Sequence, residues 1–169
     1  MRSPRTKAFW LFIAALAVQL VLLKHIPAFG KTFDLLLLFI VALAVSQEML
    51  LALIYAAVAG IIIDSLSIAH APMHTAYYLA VAAFLSTRRP YIFLNNTFPF
   101  VVTLALAALG EVAFNYVWTF FFIMTISPVL LMQISWLGFI FLVALGWLAG
   151  RRLLLMLKDP EVLDFEVRR

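Results

Sequence analysis

Apolar runs separated by short polar breaks organise this chain from end to end. The first run covers 8–23, behind a basic segment holding Arg2, Arg5 and Lys7. Ala15-Leu16-Ala17 resembles a signal-peptidase site, but it lies inside the run with Val18 to follow, so the segment reads as an uncleaved span. A break containing Pro27 and Gly30 precedes Asp34 and a second run at 35–46. Ser46-Gln47-Glu48 separates this from a third run at 49–63, closed by Asp64. A fourth run at 74–87 stops at Arg88-Arg89-Pro90. Asn95, Asn96 and Thr97 are N-cap candidates for a fifth run at 99–126, with Pro99 suited to its first turn. Ser127-Pro128 breaks the pattern before a sixth run at 129–150, followed by a short tail at 151–169. No run alternates with period two, so helices are expected rather than a barrel.

These runs predict an all-α, polytopic bundle of six transmembrane helices forming a single integral-membrane domain. With a cytoplasmic N-terminus, six spans place ten of the twelve basic residues inside and only Lys24 and Lys31 outside. That asymmetry predicts both termini cytoplasmic. The eleven residues of 35–45 reach only about 16 Å along a helix axis, against about 30 Å of hydrocarbon. Short second to fourth helices are therefore expected to be sheltered by longer first, fifth and sixth helices.

Composition agrees with this reading. Hydrophobic residues make up 66% of the chain, charged residues 12%, and mean hydropathy is +1.11. A soluble domain of this size has too little polar surface here to cover its apolar residues, and disorder is excluded. With no cysteine, thiolate metal sites, disulfides and cysteine nucleophiles are excluded. The net charge of +4 sits at segment ends, where it serves topology rather than nucleic acid. Arg88-Arg89 and Arg151-Arg152 suit anionic lipid headgroups.

Isolated polar residues are the candidate chemistry. Asp34 and Asp64 fall near the external ends of helices two and three. Asp34 favours the helix dipole there, whereas Asp64, at a C-terminus, needs another partner. The pair either lines an external cavity or holds a partner's segment, or each caps a helix or pairs with Lys24, Lys31 or a histidine. Glu111 lies mid-run, in a stripe of Thr103, Ala107, Glu111, Asn115 and Thr119 at four-residue steps. At that depth it faces protein or water, as an interhelical bond, a partner contact or an ion site. His70 and His74 flank Pro72 and read as external loop residues, not metal ligands. Gly146 and Gly150 form a GxxxG with Gly138 two turns earlier, a face permitting close helix contact. No catalytic triad, phosphate loop or dinucleotide fingerprint occurs. Neither an enzymatic activity, a cofactor nor a bound metal is expected.

Two blocks carry a resemblance: Phe33-Asp34-Leu35-Leu36-Leu37-Leu38-Phe39 and Ala59-Gly60-Ile61-Ile62-Ile63-Asp64-Ser65-Leu66. Together they resemble the rod-shape-determining MreD family, in which helix two starts with a Pro-Asp-Leu-Leu-Leu pattern and helix three ends in Gly-x-x-x-Asp. Phe33 replaces the usual Pro, and His70-Ala71-Pro72-Met73-His74 replaces a Gly-rich turn. The resemblance implies a bacterial inner-membrane scaffold of the cell-elongation machinery. Its implied partners are a bitopic MreC-like protein and, through it, actin-like MreB and the peptidoglycan synthases. The family's bundle is also similar to the substrate-binding subunits of energy-coupling-factor vitamin transporters. That similarity implies the alternative of a small-ligand pocket near Asp34, Asp64 and His74.

Overall fold

Asp34 opens the segment around which the other helices assemble. The computed structural model describes residues 4–25, 34–46, 48–66, 72–88, 97–123 and 136–157. Among these residues the fold is all-helical: α1 (Pro4–His25), α2 (Leu35–Ser46), α3 (Met49–Leu66), α4 (Met73–Arg88), α5 (Thr97–Ile123) and α6 (Trp136–Leu157). Pro99 sits in the first turn of α5, where its missing N–H leaves no intrahelical bond unmade. Ser46 is the last residue of α2, and its hydroxyl donates to the Ala42 carbonyl, 2.6 Å away.

Every residue of α2 from Leu36 to Ser46 is buried. A helix apolar all round is covered either by protein or by lipid, and α2 packs against α1, α3, α4, α5 and α6. The shelter expected for three short helices is therefore given to α2 alone. Helix α3 fully buries only Ala52, Ala56, Ala59, Gly60 and Asp64; Leu51, Leu53, Tyr55 and Ile63 are partly buried against the core, while Leu50, Ile54, Val58 and Ile61 are exposed. The fully buried face, with small residues or Asp at four-residue steps from 52 to 64, lies on α4, in the most extensive helix pairing of the bundle. A Cβ on Gly60 would collide with the Thr75 backbone, so glycine sets the distance between α3 and α4.

Successive helices alternate in direction. At one end, Arg5 on α1 reaches Glu48 before α3 at 3.9 Å. At that end too, the Ser86 hydroxyl lies 3.5 Å from the Ala44 carbonyl. At the other end, the Leu35 N–H donates to Gln19 Oε1 at 2.9 Å. Phe12, Phe39 and Tyr55 knit α1, α2 and α3 together through rings 5.1–5.7 Å apart.

Two boundaries differ from the apolar runs. Helix α3 continues through Asp64 to Leu66. Helix α6 continues past Gly150 through Arg151-Arg152 to Leu157, because Leu154 and Leu157 still find buried positions and Arg is a good helix former. Residues 124–135, where the sixth run begins, lie outside the described residues, as does the tail after 157.

The exterior is apolar. Leu50 is 69% exposed, Leu106 64% and Leu148 76%, the reverse of a water-soluble surface. The segments Met49–Leu66 and Phe98–Asn115 are long and apolar enough to cross a membrane, and Leu35–Ser46 and Phe139–Gly150 are shorter apolar helical segments.

Candidate polar site at one end of the bundle

Both acids of the sequence blocks hold helix starts. Asp34 is the N-cap of α2. Its Oδ1 accepts the N–H groups of Leu36 at 2.8 Å and Leu37 at 3.0 Å, which would otherwise lack partners. Its Oδ2 accepts the Tyr78 hydroxyl from α4. Asp34 is buried among apolar side chains, and these bonds stabilise it there.

Asp64 caps a helix that is not its own. Pro72 precedes α4 and offers no side-chain acceptor, so the first turn of α4 takes one from α3. Asp64 Oδ1 accepts the His74 N–H at 2.9 Å and faces His74 Nδ1 at 3.0 Å. Its Oδ2 accepts the Thr75 N–H at 2.8 Å and the Thr75 hydroxyl at 2.6 Å. A carboxylate has about four acceptor sites, and Asp64 fills as many. This answers the objection to an acid at a helix C-terminus: the positive end it serves belongs to α4.

His74 is thus a helical residue, not a loop residue. With Nδ1 donating to Asp64, its Nε2 points toward Glu111 Oε1, 4.0 Å away on α5, beyond direct hydrogen-bond length. The His74 and Tyr78 rings lie 6.1 Å apart, so Asp34 and Asp64 are joined through α4. The Tyr77 hydroxyl donates to the Ala107 carbonyl, and the Tyr77 ring lies 5.4 Å from Phe114. Thr103 bonds back to the Pro99 carbonyl at 2.8 Å. The stripe on α5 therefore meets α4 at Ala107 and Glu111. Among the described residues, Asn115 Oδ1, one turn further, is buried without a hydrogen-bond partner.

Gly146 and Gly150 of α6 face inward. A Cβ on Gly146 would lie 2.6 Å from Leu104 Cδ2, and one on Gly150 2.6 Å from the Phe100 ring. Both serve contact with α5 inside the bundle. The surroundings of Gly138 and Thr119 lie outside the described residues, as do His70 and Lys31 and the side chain of Lys24.

Sequence reasoning missed Thr75, Tyr77 and Tyr78. Their signal was present: His74 and Tyr78 are one turn apart, and two tyrosines with a threonine interrupt an apolar run. Chemically the cluster can orient an imidazole between two acids and lock three helices. Asp64 keeps no acceptor free for a ligand. Neither a family model, a curated protein nor a solved structure matches this chain.

Proposed function

We propose that this chain is a multi-pass scaffold of the bacterial inner membrane, of the kind its MreD resemblance implies. Six helices embed it, both termini are cytoplasmic, and it catalyses no reaction. It holds the transmembrane helix of an MreC-like bitopic partner, and through that partner supports MreB and peptidoglycan synthesis along the cell wall. One observation carries this reading. The two acids of the resemblance, Asp34 and Asp64, use their oxygens to bind α2, α3 and α4 together, which makes the motif a device of architecture. The apolar exterior supports embedding, and the distribution of basic residues supports the orientation.

The filled acceptors of Asp64 weigh against the alternative, a vitamin-type pocket between the acids. With Gly146 and Gly150 turned inward, the partner helix docks on an outward face. Leu50, Ile54, Val58 and Ile61 form the ridge on α3 proposed to receive it, exposed at steps of four, four and three residues. Close packing, not hydrophobic burial, holds such a contact in lipid. Purification from the native membrane in mild detergent is expected to recover a bitopic protein with a periplasmic domain. Recovery of a bound vitamin without any such protein would overturn the proposal.

A further inference from the structure

A cavity of about 520 Å3 lies between α4 and α5, and its lining contains no acid. Tyr77, Ala80, Phe84 and Arg88 line it from α4, and Thr103 and Leu106 from α5. Its polar groups already have partners: the Tyr77 hydroxyl donates to Ala107 and the Thr103 hydroxyl to Pro99. The lining thus asks for an occupant that makes no hydrogen bonds along its length. The exception is the end. Arg88 is exposed, its guanidinium lies over the Phe84 ring at 5.9 Å, and among the described residues no carboxylate pairs with it.

The length fixes the kind of molecule. From Tyr77 to Arg88 is eleven residues along α4, about 16 Å at the helical rise. That is about half of a 30 Å hydrocarbon core, the depth of one leaflet. A partner helix crossing the membrane would instead run about 30 Å, nearly twice this length. The volume falls among small-molecule sites, about 300–1,000 Å3. We infer that the groove seats one acyl chain of an anionic phospholipid, from the leaflet at the Arg88 end, with its phosphate against the Arg88 guanidinium. The planar guanidinium fork matches phosphate oxygens, and Phe84 holds it at the lip of the groove. The inference shares membrane embedding with the proposed function and does not depend on the partner.

The test uses the full chain in vesicles of phosphatidylcholine doped with phosphatidylglycerol or phosphatidylcholine bearing a photoreactive group on one acyl chain. Labelling is expected to concentrate on Ala80, Phe84 and Leu106, with phosphatidylglycerol preferred about five-fold, the effect of one basic residue at an anionic surface. Arg88→Gln is expected to remove the preference while leaving the labelled positions unchanged. Ala80→Phe is expected to reduce labelling by both lipids. Should Ala80→Phe not fold, the wild-type label distribution and Arg88→Gln still decide. Label spread evenly over outward faces, or a preference that survives Arg88→Gln, overturns the inference. Displacement of the label by an equimolar single-span Leu/Ala peptide also overturns it, making the groove a helix seat. A chain that never enters the vesicles would sink embedding itself, a result distinct from even labelling.

Discussion

Asp64 and Glu111 are both acids in an apolar chain, yet their surroundings assign them unequal weight. Asp64 holds four donors at 2.6–3.0 Å, whereas Glu111 approaches His74 only to 4.0 Å. Hydrogen bonds to a charged group contribute about 1.5–3 kcal/mol each at most, and are not additive. Asp64→Ala is therefore expected to lower stability by about 3 kcal/mol or more. Glu111→Gln is expected to change it by less than about 1 kcal/mol, because no short bond is lost. Unfolding in mixed micelles with increasing denaturing detergent measures both, and equal losses would contradict the assignment. Tyr78→Phe leaves Asp34 Oδ2 buried without its hydroxyl donor, a loss of about 1–3 kcal/mol. Combined with Asp34→Ala, the Tyr78→Phe change should add little, and the same unfolding assay run as a double-mutant cycle checks the coupling. The acids stood out in the sequence because any charge does in such a chain. Their partners did not, since Tyr78 lies 44 residues from Asp34 and no local spacing links the two.

Helix pairs follow a second logic, that of side-chain size. The α3 face of Ala52, Ala56, Gly60 and Asp64 brings α4 against its backbone, and Gly60 meets main chain at Thr75. Gly146 meets only the end of the Leu104 side chain, which can rotate away. Gly60→Ala is accordingly expected to destabilise by about 1–3 kcal/mol through overpacking. Gly146→Ala is expected to do so by clearly less, in the same unfolding assay. A reversed order would mean that α6, not α3, sets the tightest contact. The GxxxG of α6 was legible because glycine pairs are easy to find. The small-residue face of α3 was equally present in the sequence. It went unread because three of its positions between 52 and 60 are filled by alanine or a single glycine, common residues in any helix. The end of α6 was misplaced for a similar reason: Arg151-Arg152 looks like a stop, but charged side chains at a helix end can extend outward while Leu154 and Leu157 stay packed.

Among the described residues, the apolar runs coincide with the helices, and the shortness and uniform apolarity of 35–46 marked the segment that needs cover. Which helices supply that cover was not legible, because periodicity reports how much of a helix is buried but not by what. The alternation of direction agrees with the distribution of basic residues: Arg5 and Glu48 meet at one end, and the acid cluster occupies the other. A reporter fused after Arg169 is expected to be active only in the cytoplasm. Activity on the external side would require an odd number of crossings and would overturn the six-span topology.

The enclosure of α2 also bears on which parts of the chain can be removed. At 12 residues, α2 is about 18 Å long, well short of a hydrocarbon core of about 30 Å. Its last walls come late in the chain: α5 and α6 both lie against it, and Leu38 of α2 sits 4.0 Å from where a Cβ on Gly146 would be. The enclosure of α2 thus depends on segments far from it in sequence. A chain lacking Trp136–Leu157 would therefore leave one flank of α2 uncovered.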